Sequence, residues 1–150
     1  MAARMALNAP KQRQGGQFEQ RACQFLQEHG LILIARNWQQ PTIGELDLVM
    51  LEQGQAWSTL VFIEVRQRVR SGFGDAALTV TAAKQRKIIK TAQYFLQQHP
   101  HYADYECRFD VIAYNTKRTD NAKTDYQPEK YQLEKYQPEW LQGAFITSAW

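Results

Sequence analysis

The chain has 150 residues and a net charge of +3, with 44% hydrophobic and 22% charged residues. These totals exclude wholesale disorder and fibrous repeats and suit one domain around one core. The longest apolar runs, such as residues 31–35 and 60–63, are far too short for a membrane span, so no membrane association is expected.

Residues 1–15 read as a flexible tail, since MAARMALNAP lacks the sustained hydrophobic stretch of a leader peptide and Gly15-Gly16 closes the segment. Phe18, Ala22, Phe25, Leu26 and His29 then recur at helical spacing. They predict a helix over residues 17–29 that Gly30 terminates, with Glu19 one step round from the apolar stripe. The run LILIA at residues 31–35 reads as a buried strand. Pro41-Thr42-Ile43-Gly44 makes a turn in which Gly44 is expected to supply a tight bend or a positive φ. Residues 45–51 alternate, placing Leu46, Leu48 and Met50 on one face and Glu45, Asp47, Val49 and Leu51 on the other. Gln53-Gly54-Gln55 signals a hairpin into a strand over residues 59–68. There Val61, Ile63 and Val65 oppose Leu60, Phe62, Glu64, Arg66 and Arg68.

Ser71-Gly72-Phe73-Gly74 reads as a loop. Thr81 can cap a helix over residues 82–99 with Ile88, Ala92, Phe95 and Leu96 inward, and Pro100 stops it. Residues 64–90 hold seven basic side chains against two acidic ones, a local excess of five positive charges. That block suits a phosphate backbone, or else a solvated helix face. RFDVIAY at residues 108–114 is the last predicted strand, with Phe109, Val111 and Ala113 opposing Asp110, Ile112 and Tyr114. Residues 115–139, with YQPEK, YQLEK and YQPEW, read as a flexible insertion. Residues 140–150 then dock back on the domain through Trp140, Leu141 and Phe145. The element order α-β-β-β-α-β implies an α/β domain over residues 16–114 with a mixed central sheet flanked by helices. Cys23 and Cys107 form no metal-ligand pair, and two buried free thiols in a reducing cytoplasm are expected.

Ionised carboxylates are costly to bury unless paired or coordinated, and Asp47 and Glu64 each sit among hydrophobic residues on adjoining strands. Two explanations are open: a shared divalent cation, or a salt-bridge lattice with Arg66, Arg68 or Arg108. His29, His99 and His101 lie at helix ends or in a loop without ligand spacing. Trp38, Trp57 and Tyr94 read as packing residues rather than stacking platforms for bases.

A helix acid (Glu19), GELDLV, VFIEVRQR, a lysine-bearing helix and RFDVIAY, in that order, resemble the YraN family of bacterial proteins. The resemblance implies a restriction-endonuclease-like fold of the Holliday-junction resolvase type, related to PD-(D/E)xK nucleases. It implies Asp47 and Glu64 as ligands of Mg or Mn, Arg66 in the place of the signature lysine, and Glu19 as the first-helix acid. Arginine stays protonated and cannot act as a base, so Lys84 would have to reach in, or the metal alone would have to suffice. Arg66, Arg68, Lys84, Arg86 and Lys87 are the expected nucleic-acid contacts. The partners implied are nucleic acid, DNA above all, and a second copy of the chain. The function expected is a metal-dependent endonuclease on branched DNA. The alternatives are an inactive nucleic-acid-binding module on the same scaffold and a protein-interaction domain.

Overall fold

The computed structural model describes residues 10–69, 80–116 and 138–147. Residues 1–9 of the tail expected over residues 1–15, the loop at residues 71–74 and residues 117–137 of the insertion lie outside the described residues. Helix α1 spans Pro10–Glu28, β1 Ile32–Gln40, β2 Gly44–Gln53 and β3 Ser58–Val69. Helix α2 follows at Ala82–Gln98, then a short 3-10 turn at Pro100–Tyr102, β4 at Glu106–Thr116 and β5 at Glu139–Phe145. None of the described helices is long and apolar enough to cross a membrane.

The helix predicted over residues 17–29 begins earlier than expected, because it runs through Gly15-Gly16 instead of starting after them. Each helix-interior glycine costs about 1 kcal/mol relative to alanine, which a packed amphipathic helix can bear. Its end follows the sequence. Gly30 adopts φ +91, and Leu31 N–H closes back on Leu26 O at 3.0 Å.

The sheet order is β1-β2-β3-β4-β5. The first three strands form an antiparallel meander, α2 carries the chain over to β4, which lies parallel to β3, and β5 closes the edge antiparallel to β4. The C-terminal segment therefore docks as a fifth strand, extending the predicted order by one element. Cys23 is buried, whereas Cys107 is only partly covered, and both are free thiols.

Two cores lie on opposite faces of the sheet. Phe18, Ala22 and Leu26 of α1 pack on Leu48, Met50, Val61, Ile63 and Ile112. Ile88, Ala92 and Phe95 of α2 pack on Val49, Leu60, Phe62, Phe109 and Val111. Each large apolar side chain so removed from water contributes about 1.5–3 kcal/mol. The alternation read from β3 and β4 holds in this arrangement, but that of β2 does not. Leu46 joins the α2 face while Leu48 and Met50 join the α1 face. The reason lies across the ladder: Arg36 pairs Leu48 and Trp38 pairs Leu46, and between them Asn37 takes φ 51. Asparagine tolerates this left-handed region, and here it turns the strand pair so that both strands change faces together.

β5 is anchored by a buried charge. Asp110, 0% exposed, accepts from Arg108 Nε (2.9 Å) and Nη2 (3.1 Å), the Trp140 indole (3.0 Å) and Gly143 N–H (2.9 Å). Arg108 also grips Glu52 with both terminal nitrogens at 2.8 and 3.1 Å. Asp110 is thus paired with an arginine of its own strand.

Gly44 does not carry the expected positive φ, which belongs to Thr42 (φ 65) in the preceding turn. Its role is close approach: a Cβ here would stand 2.5 Å from Thr91 Oγ1 and 3.3 Å from Lys87 Cγ of α2. Gly44→Ala is therefore expected to destabilise the fold by about 1–3 kcal/mol in urea titrations, as overpacking does. Adding Thr91→Ala should recover part of that loss, and additive losses would show that the two sites do not press on each other.

Candidate functional site

β2 stops pairing with β3 after Leu48↔Ile63, while β3 goes on pairing with β4 as far as Val69↔Thr116. Where the strands part, Val65 N–H donates to the Asp47 carboxylate at 2.9 Å, so a side chain replaces the missing ladder bond. Asp47 is thereby fixed at the mouth of the split, within reach of both faces of the sheet.

Glu19 comes to it from α1 and Glu45 from two residues earlier on β2. Carboxylate oxygens of Glu19, Glu45 and Asp47 all lie within 4.8 Å of one another. Gln39 Nε2 donates to Glu45 at 3.4 Å, and the Asn37 side chain bonds Glu19. Burial, then the charges of Asp47 and Glu45, push Glu19 up to about 7. Glu64 approaches Asp47 from β3 and shares a side-chain hydrogen bond with it. Glu64 is 6% exposed, and burial followed by the charge of Asp47 raises it to about 8.

Two cations flank Glu64. Lys84 Nζ stands 3.7 Å and Arg66 Nε 3.4 Å from Glu64 Oε1. Both favour its charged form, but desolvation and Asp47 outweigh them. Lys84 lies in the first turn of α2, where Thr81 caps the helix by accepting Lys84 N–H at 3.2 Å. A cation there opposes the helix dipole, and no acidic side chain occupies that turn, so Glu64 across the cleft is its compensation. Arg66 Nε is buried without a hydrogen-bond partner among the described residues, its angle to Glu64 being unsuitable. Such a donor costs about 1–3 kcal/mol if left unmet and suits an incoming oxygen anion.

An open cleft of about 560 Å³ runs past this cluster, lined by Gln39, Gln40, the turn at residues 41–43, Gly44, Glu45, Asp47, Lys84 and Lys87. Of the expected phosphate contacts, Lys84 and Lys87 line it, whereas Arg66 stands beside Glu64 and is not among the lining residues. Arg86 is on the other flank of α2, beside Ile89 and Ile146, so it does not join them. Arg68 belongs to β3, but its side chain lies outside the described residues. The lattice alternative for Asp47 and Glu64 is met in part: Arg66 and Lys84 stand by Glu64, whereas Arg108 is held by Glu52 and Asp110. Glu45 and Asn37 were missed from sequence. Glu45 precedes Asp47 by two residues, the strand repeat, and an Asn within β1 was the available sign of a twist.

A family model described as Uncharacterised protein family UPF0102 matches residues 18–114. The chain belongs to that family. This is the YraN family that the motifs resemble, and the matched span contains every residue of the carboxylate cluster together with Arg66 and Lys84. The UPF0102 protein of Psychrobacter arcticus is 72% identical over 151 residues, covering 97% of this chain and 87% of the relative. The UPF0102 proteins of Pseudomonas putida strain GB-1 (46% over 101 residues, 67% of this chain and 78% of the relative) and Francisella tularensis (41% over 101 residues, 67% and 83%) are also similar.

The raised carboxyls make the stability of this UPF0102 protein depend on pH. Folded Glu19 and Glu64 hold their protons more tightly than in the unfolded chain, where the ordinary value is 4.5. Their contribution is fully present below that value and is lost as pH rises through about 7 and 8. With chelator present, the urea midpoint is expected to fall between pH 5 and pH 9, and Glu64→Gln to flatten most of that fall. An equal slope in the variant would exclude Glu64 as its source.

Proposed function

We propose that this UPF0102 protein is a divalent-metal-dependent nuclease acting on structured, branched DNA. The observation that carries the reading is the cluster of carboxylates from α1 and β2, with Glu64 of β3 bonded to Asp47 and Lys84 of α2 beside Glu64, at an open cleft. The donor set is all oxygen, which suits a hard cation such as Mg²⁺ or Mn²⁺ and not a thiophilic metal. Asp47, Glu19 and Glu45 would hold it, so this ligand set keeps Asp47 of the expected pair and adds Glu19 and Glu45, while Glu64 stands beside it, bonded to Asp47. The cation would supply charge neutralisation at the scissile phosphate and favour attack by water. Arg66 offers a phosphate oxygen its Nε–H, which has no hydrogen-bond partner among the described residues. Lys84 occupies from a helix the place beside the second acid that a strand lysine takes in the motif. Lys87 holds the neighbouring phosphate. Resolving a four-way junction takes two symmetric cuts, so this reading carries a homodimer.

Purified protein with Mn²⁺ is expected to nick flap or four-way-junction DNA. Asp47→Ala or Glu64→Ala should abolish the cut, and Lys84→Met should slow it by about 10²–10³-fold, as loss of a charge-stabilising group does. Calorimetric titration of Mn²⁺ should show binding that Asp47→Ala removes. Cleavage that survives Asp47→Ala and Glu64→Ala together would rule out this site. Salt-dependent DNA binding without cleavage would favour the non-catalytic module, for which arginine at position 66 speaks.

A further inference from the structure

Residues 84, 87, 91, 94 and 98 of α2 recur at spacings of three and four and share one face of the helix. Its buried member, Thr91, packs against Gly44. Lys84 and Lys87 line the cleft, and at its far end Gln98 Nε2 donates to Gln40 Oε1 at 2.7 Å. Immediately beyond, His99 stacks on Phe95 with centroids 4.0 Å apart, and the 3-10 turn brings out a step of rings. His101 lies 4.0 Å from Tyr102, which meets Tyr105 edge-on at 5.3 Å. Tyr102 packs against the core, whereas His101 is exposed and Tyr105 is 38% exposed.

We infer that the cleft and this ring step form one track for a single-stranded segment of nucleic acid. Its phosphates lie along Lys84 and Lys87, and its bases lie against Tyr105 and His101. Cations that follow a backbone and end in exposed aromatic faces are what an unpaired strand can use. A duplex hides the faces of its bases and gains only from the charges. The exposed carboxylates of Asp104 and Glu106 flank Tyr105, and by repelling phosphates they favour bases over backbone at that end. Fifteen residues of helix rise about 22 Å from Lys84 to His99. The inference rests on the nuclease reading for where the strand meets the carboxylates, and it narrows the substrate to branched DNA with a single-stranded arm.

The test is fluorescence anisotropy in chelator, comparing labelled oligo-dT with a duplex of equal length. Tyr105→Leu combined with His101→Ala is expected to weaken oligo-dT binding about tenfold, the loss of one stacked base, with duplex affinity changed less than twofold. Tyr105→Phe, which keeps the ring, should bind as wild type, and so should Trp57→Ala on the β2–β3 hairpin. Thermal melts check that each variant folds. Equal weakening on both ligands, an unaffected oligo-dT affinity, or no single-strand binding by wild type would overturn the track. Cleavage plays no part in this readout, so a failed nuclease assay leaves the comparison standing. Unchanged oligo-dT affinity in the double variant would sink the track alone, whatever the nuclease assay shows.

Discussion

A backbone N–H that has lost its strand partner must find another, and in this protein the donor at Val65 finds the carboxylate of Asp47. That single bond lets β2 leave β3 without leaving a buried polar group unmet. The gap so opened admits Glu19 from one helix and Lys84 from the other, on opposite faces of the sheet. Asn37 makes the departure feasible, because its left-handed backbone turns β1 and β2 together where Asp47 lies. The side chains that converge here come from four elements, and no helix or strand could gather them on a flat, fully paired sheet.

Two buried carboxylates in the same sheet show what this arrangement changes. Asp110 receives four donors and holds a guanidinium in line, so its charge is satisfied within the fold. Glu64 has cations nearby, but its burial and then the charge of Asp47 outweigh them, and its proton affinity rises. Arg66 adds an unmet donor at the same place. Saturated polar groups are settled within a fold, whereas groups left wanting a counter-charge or an acceptor carry a cost that their surroundings must bear. Repulsion among the carboxylates, an unfavourable cation at the start of α2 and, among the described residues, a buried N–H without a partner all fall around the point where β2 and β3 part.

Much of the fold was legible because its signals are local. Period-two alternation in β3 and β4, the Thr81 cap, the Gly30 stop and the apolar stripe of α2 each depend on neighbours in sequence. The misreadings share a different cause. Helix α1 continues through Gly15-Gly16 because propensity is a weak vote once a helix has a face to pack. β2 changes faces at Leu46 because of a residue on another strand, and Gly44 is small because of a threonine on α2. Asp47 and Glu64 stood out as acids among hydrophobic neighbours, but Glu45 looked like an ordinary strand-face acid until the strands parted. Lys84 and Arg86 are indistinguishable by composition. Only the phase of the helix sends one toward the carboxylates and the other away.

The ionic knot at Asp110 has a bearing on how such a chain can vary. The last strand is recognised chemically, by an indole and a backbone N–H seeking a fixed carboxylate, and not by the length of the connection that delivers it. Loop-closure entropy grows only slowly with added residues, so the stretch between β4 and β5 can be shortened, lengthened or rewritten at little thermodynamic penalty while the edge of the sheet stays sealed. The family match ends at residue 114, just before that stretch begins. Selection for an intact edge would therefore bear on the two ends of the connection and leave its middle free to drift.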